Sequence, residues 1–340
     1  MDLVLMTDID EVMSRVGKKT AARIQAAKDI EIDYLETPIP SLNRALNGGL
    51  PYGRQVLFYG NKSCGKSSIL LQMIAQAQRD GKSCLWVDAE KTFDPAWAEK
   101  MGVDVSKLKV LQYSDSMRVT NTISEFMVAG VDVIVLDSIS SVVPMSYFEK
   151  DSVDLKGLEA TRQMGSAAKD MAAAISLWNQ SNSHTLLILI SQIRNDLGGM
   201  YVSQKPTHGH APKFFSSTVV KLFSSESIKQ AKMGKIQIGD YIEEVPIGRE
   251  VTWTLENSKT SKPFQTGTYD FYFAGDRLGA DTLADIIDSA VKYGLIKKSG
   301  PGWFELDGVK IQGRDNLVNH LLSLPDDLEE LKGKVLSYGT

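Results

Sequence analysis

Residues 60–67, Gly60-Asn61-Lys62-Ser63-Cys64-Gly65-Lys66-Ser67, fit the pattern GxxxxGKS at every fixed position, and Ser68 follows. Glycines let the backbone curl so that amide N–H groups converge on an anion, the lysine reaches outer phosphates, and the serine hydroxyl suits Mg²⁺. The chemistry implied is binding of a nucleoside triphosphate with its metal. Two acids extend it. Asp137 closes the apolar run 131–136, where a carboxylate organises Mg²⁺ and its waters; its plainer reading is a helix cap or turn residue. Glu90 follows the apolar run 83–88 and reads either as the base that orients an attacking water or as a surface acid on a loop. Gln192 follows the run 185–190, so its amide is placed to sense a γ-phosphate and report hydrolysis to the segment beyond.

The elements that must carry these residues follow from periodicity. Residues 55–59 read as a buried strand and 68–79 as a helix, so the phosphates would meet a helix N-terminus. Further strands at 83–88, 109–113, 131–136, 185–190 and 218–223 alternate with helices at 95–101, 119–129 and 155–180. That order predicts an α/β fold with a doubly wound, mostly parallel sheet. Residues 226–273 read as β-rich, with a hairpin around the basic turn 258–262. From 276 the pattern changes to a small α+β domain. Thr282 and Asp285 are expected to form a capping box, Gly294 to end that helix, and Asp307-Gly308 to turn a hairpin. The expected organisation is a helical oligomerisation arm at 1–30, an ATPase core at 31–275 and a C-terminal domain at 276–340.

Residues 195–212 lack apolar periodicity and are expected to be a long functional loop. They carry Tyr201, Lys205, His208, Gly209 and His210 and are flanked by Arg194 and Lys213; cations with an aromatic suit phosphates and bases. A second polar stretch, 145–156, leads into a helix with Arg162 and Lys169. His208 and His210 have no nearby acid or cysteine to complete a metal site. A formal charge of −4 over 340 residues excludes a uniformly basic surface but not a local basic groove. Two cysteines without ligand spacing, no long apolar run and no secretory leader pattern lead to the expectation of a reducing cytoplasm and no membrane.

Taken with Asp88-Ala89-Glu90, Asp94-Pro95, 131–138 and Ser191-Gln192-Ile193-Arg194, the motifs resemble the RecA family of bacterial and phage recombinases over essentially the whole chain. The resemblance implies ATP and Mg²⁺ as cofactors, single-stranded and double-stranded DNA as partners, and a helical filament of further copies. It makes Glu90 the water-activating base, Gln192 the γ-phosphate sensor, and Asp94 and Trp97 adenine-side contacts. It makes 145–156 and 195–212 the two DNA-binding loops, with Arg162, Lys169, Arg194 and Lys213 on phosphates and Leu197 wedged between bases. Lys259 is then the cation offered to a neighbouring protomer's ATP. The family has two such lysines; the turn here, Asn257-Ser258-Lys259, keeps one. Rival readings are a ring-forming helicase, disfavoured because 257–262 holds no arginine, and a non-hydrolysing regulatory relative, disfavoured by the presence of Glu90.

Overall fold

The computed structural model describes residues 31–143, 171–178, 183–196, 203–206, 211–225, 227–238 and 241–338. The expected arm at 1–30, the stretch 145–156, Arg162, Lys169, Leu197, Tyr201, Gly209 and His210 fall outside the described residues. The chain divides into two compact units, Met1–Asp33 and Tyr34–Thr340, and the second contains the sheets and clefts.

Tyr34–Leu35 (β1) pairs with Leu50–Pro51 (β2) around a short helix, Pro40–Ala45 (α1). Six strands then run parallel at the centre: Gln55–Gly60 (β3), Cys84–Asp88 (β4), Lys109–Leu111 (β5), Val133–Asp137 (β6), Leu186–Asp196 (β7) and, after Ser203–Pro206 (β8), Thr218–Phe223 (β9). Their order is β5-β4-β6-β7-β3-β9, all neighbours parallel. Both faces of the inner strands are covered, so β3, β4, β6 and the first half of β7 are apolar at nearly every position, while β5 at the edge is largely exposed. Val56, Phe58, Trp86, Val135 and Ile188 pack on one face, and Leu57, Tyr59, Val87, Leu136 and Leu189 on the other. The first face is covered by Lys66–Arg79 (α2), through Ile69, Leu70, Met73 and Ile74. After Pro95–Lys100 (α3), Ser116–Ala129 (α4) covers the second with Val119 and Ile123, joined by Met171, Ile175 and Trp178 of the helical stretch 171–178.

Beyond β9 the sheet turns antiparallel. A short helix, Ala211–Phe215 (α5), leads into β9, which pairs with Tyr241–Ser258 (β11). That long strand also pairs with Ala231–Ile238 (β10) and with Gln265–Tyr272 (β12), the hairpin expected around the basic turn. Gly279–Ala280 (β13) closes the edge. The loop expectation for 195–212 needs correction. β7 runs on to Asp196 and folds back on β8, Asp196 opposite Ser203 and Arg194 opposite Lys205. Polar strands carry no apolar alternation, so periodicity could not find them.

The C-terminal elements are Thr282–Lys292 (α6), a three-stranded sheet of Lys297–Gly300 (β14), Trp303–Leu306 (β15) and Val309–Gln312 (β16), then Arg314–Ser323 (α7) and Pro325–Leu336 (α8). Asp307 and Gly308 both have positive φ, as a tight primed turn between β15 and β16 requires. Ile286, Ile287, Leu317, Leu321 and Val335 form a core of their own. The expected capping box is also corrected. Asp281 caps α6 by accepting from the Ala284 N–H at 3.0 Å, while Thr282 donates to the Pro38 carbonyl at 2.8 Å. Asp285 accepts from the Ser41 N–H and hydroxyl at 2.6 and 2.7 Å. Tertiary partners, Pro38 before α1 and Ser41 on it, took both side chains away from the cap.

Candidate functional site

β3 ends at Gly60, the chain turns through the glycine-rich loop, and α2 begins at Lys66. Gly60 has to be glycine because a Cβ there would lie 2.0 Å from the Leu222 carbonyl oxygen on β9. Gly65 sits at φ +84°, the left-handed region, as the residue before the helix. No side chain caps α2, so its first amides and the positive end of its dipole are left for an anion. A cleft of about 310 Å³ opens there, lined by Lys62, Ser63, Gly65, Lys66, Ser67, Ser68, Glu90, Trp97, Asp137, Gln192, Arg249, Phe271 and Phe273 among others.

The loop divides its labour. Lys66 Nζ reaches back to the carbonyls of Asn61 at 2.7 Å and Gly60 at 3.2 Å, a nearly buried ammonium held by the loop it belongs to. Gly60, Asn61 and Cys64 do not line the cleft. Asn61 clamps Ser224 through both its amide atoms, at 2.8 and 3.2 Å, and Cys64 is fully buried in the core, where burial raises its thiol pKa. These three shape the loop.

On the adjacent parallel strands, Asp88 and Asp137 are register partners at the ends of β4 and β6. Asp88 is structural: it accepts from the N–H groups of Thr92 and Phe93 and from the Gln112 amide, at 3.1, 2.9 and 3.0 Å, holding the turn that follows β4. Asp137 faces the cleft and accepts from the Ser67 hydroxyl. Burial pushes its pKa up to about 6; the charges of Glu90 and Asp88 add to the rise, and Ser67 and Lys66 oppose it. Glu90 Oε1 receives the Ser138 hydroxyl at 2.5 Å, the Gln192 amide at 3.0 Å and the Ser141 hydroxyl at 3.3 Å. The Gln192 N–H in turn donates to Ser140 Oγ at 3.0 Å.

A divalent cation fits this chemistry. No cluster of three His, Cys, Asp or Glu side chains among the described residues makes an all-protein cage. Mg²⁺ is ordinarily held by one or two carboxylates with phosphate oxygens and water. Ser67 and Asp137 are the residues that would hold it, and a buried carboxylate with a raised pKa gains most from a nearby cation.

Other expected residues lie elsewhere. Trp97 lines the cleft and donates from its indole to Ser68 Oγ at 3.0 Å. Asp94 is outside the lining and caps α3 by accepting from the Ala96 N–H at 2.9 Å. Lys259 is exposed on the turn after β11 and away from this cleft. Lys213 on α5 is half-buried and pairs with Glu256 at 2.6 Å and the Tyr59 hydroxyl at 2.8 Å; burial and Glu256 raise the Tyr59 pKa. Arg194 and Lys205 are brought opposite each other on the β7–β8 hairpin. Sequence reasoning missed Arg249, Phe271 and Phe273, and the serines around Glu90. The alternation at 268–273, along β12 and one residue past it, could have flagged Phe271 and Phe273; nothing local marks Arg249.

A parallel sheet whose first switch point carries a glycine-rich loop, a lysine, and two acids on neighbouring strand ends defines a P-loop nucleotide-binding core. A family model described as the RecA N-terminal domain matches residues 4–276, and one described as the RecA C-terminal domain matches 284–338. The chain belongs to the RecA family, recombinases and DNA-dependent ATPases that bind ATP with Mg²⁺ and form filaments on DNA. No helix among the described residues is long and apolar enough to cross a membrane.

Proposed function

We propose that this protein pairs and exchanges homologous DNA strands, using ATP bound with Mg²⁺ to drive assembly of a helical filament on single-stranded DNA. The observation that supports this best is the hydrogen bond between Gln192 and Glu90 in the cleft, because β7 carries Gln192 straight into the β7–β8 hairpin. Nucleotide chemistry and the candidate DNA element therefore share one strand. Lys66 and the free amides of α2 bind the phosphates, Ser67 and Asp137 the metal ion. Bound Mg²⁺ would neutralise charge that develops on the phosphate oxygens as water attacks the γ-phosphorus. Glu90 orients water and accepts its proton, held until then by Ser138, Ser141 and Gln192. Gln192 senses the γ-phosphate and passes that state along β7. Lys259 contributes to a neighbouring protomer's site, Arg194, Lys205 and Lys213 form part of the DNA surface, and the cytoplasm of a bacterium or an infected host is where it acts.

The test is the ATPase rate with and without single-stranded DNA, with electron microscopy of the same samples. DNA stimulation accompanied by helical filaments is expected, and homologous pairing of labelled strands should require both. Closed rings would point to a helicase, and neither turnover nor assembly would sink the reading.

A further inference from the structure

The cleft contains a cation that the phosphate-loop motif does not provide. Arg249 belongs to β11, opposite Phe271 of β12. Its Nη1 donates to the Ser63 carbonyl at 3.0 Å, and its guanidinium carbon stands 5.5 Å from the centroid of the Phe273 ring. The side chain is thus fixed at two points on the wall it shares with Gly65, Ser68 and Trp97. A guanidinium has five N–H donors. One is spent on Ser63, and no other hydrogen bond of Arg249 is found among the described residues.

We propose that Arg249 is a nucleotide-binding residue that acts within its own protomer on the phosphate chain, a role that rests on the cleft being the nucleotide site. Three arguments carry it. A planar fork matches phosphate oxygens, and charge-assisted bonds to them are among the strongest available. Its anchor, Ser63, is part of the phosphate loop itself, so the remaining donors are held beside the loop's amides. Finally, Lys259 lies away from this cleft, and Arg249 supplies positive charge within it beside Lys62 and Lys66. Because Arg249 is anchored to loop and ring, it is placed to meet the phosphates that ATP and ADP share, and its loss is read in the affinity for both.

Arg249→Gln tests this, since glutamine still offers an N–H to Ser63 but lacks charge and fork. Titration with a fluorescent ADP should show Kd raised ~10-fold or more, with ATP competing correspondingly less well. Competition by adenosine, which has no phosphate, should be unchanged. Arg249→Lys should recover part of the ADP affinity. Unchanged ADP affinity in Arg249→Gln, or a loss shared equally by adenosine, overturns the assignment. Wild-type protein that binds no ADP would instead overturn the nucleotide reading of the cleft, and Lys66→Ala, expected to abolish binding, sets that baseline.

Discussion

Glu90 shows how much a residue's role depends on what surrounds it. On its own it is an acid two positions beyond a strand end, indistinguishable from a surface carboxylate. Ser138, Ser141 and Gln192 all donate to one of its oxygens, at 2.5, 3.3 and 3.0 Å, and so aim it into the cleft beside Ser67 and Lys66. Glu90→Gln keeps the size and much of the hydrogen bonding but cannot take a proton. We expect kcat to fall ~10²–10⁴-fold while the Kd for fluorescent ADP stays at the wild-type value. Normal hydrolysis in that variant would mean that another group is the base. Asp88, equally acidic and two residues earlier, is spent on backbone N–H groups and is not expected to share that sensitivity.

At the scale of elements, the seam between β3 and β9 sets the position of the phosphate loop. Gly60 and Leu222 are parallel register partners, and the missing Cβ lets the Leu222 carbonyl approach where a methyl group would lie at 2.0 Å. The neighbour is backbone, so no rotamer change can relieve the clash. Gly60→Ala should lower stability by about 3 kcal/mol, at the upper end of ordinary overpacking, read as a drop in the urea midpoint, and should weaken nucleotide binding with it. An unchanged midpoint would show that the seam tolerates separation. The β7–β8 hairpin follows a different rule. Its backbone hydrogen bonds pair two polar segments, Arg194 opposite Lys205 and Asp196 opposite Ser203, without the apolar alternation that marks a covered strand.

At the scale of the molecule, the C-terminal elements are fastened to the first helix through a buried carboxylate. Asp285 accepts from Ser41, whose hydroxyl also receives the Trp253 indole at 3.3 Å, and Lys332 pairs with Glu36 at 3.0 Å. Burial raises the Asp285 pKa to about 6, partly offset by the two Ser41 bonds. Its unfolded pKa is about 3.9, so the folded state binds the proton more tightly. The stabilisation from that proton is fully present below the unfolded pKa and is lost as pH rises through 6. Asp285→Asn has no such titration. Between pH 4 and pH 7 the stability of the variant relative to wild type should rise by roughly 2 kcal/mol, measured from urea midpoints at each pH. A constant difference would show that Asp285 titrates normally.

The sequence by itself determined the parallel core, the glycine-rich loop between strand and helix, the placing of Asp137 at a strand end beside that loop, and the hairpins at 258–262 and Asp307-Gly308. These are local signals: apolar runs buried on both faces, fixed glycine spacing, and turn residues that tolerate positive φ. Only the tertiary structure decided which residues of the loop line the cleft and which brace it. It also took Thr282 and Asp285 from their cap, made a hairpin of a segment that reads as loop, and brought Arg249, Phe271 and Phe273 against the phosphate loop. Each of those outcomes is a contact between residues far apart in the chain. A side chain's local pattern states what it can bind, but its partner is chosen by packing that brings distant strands and helices together.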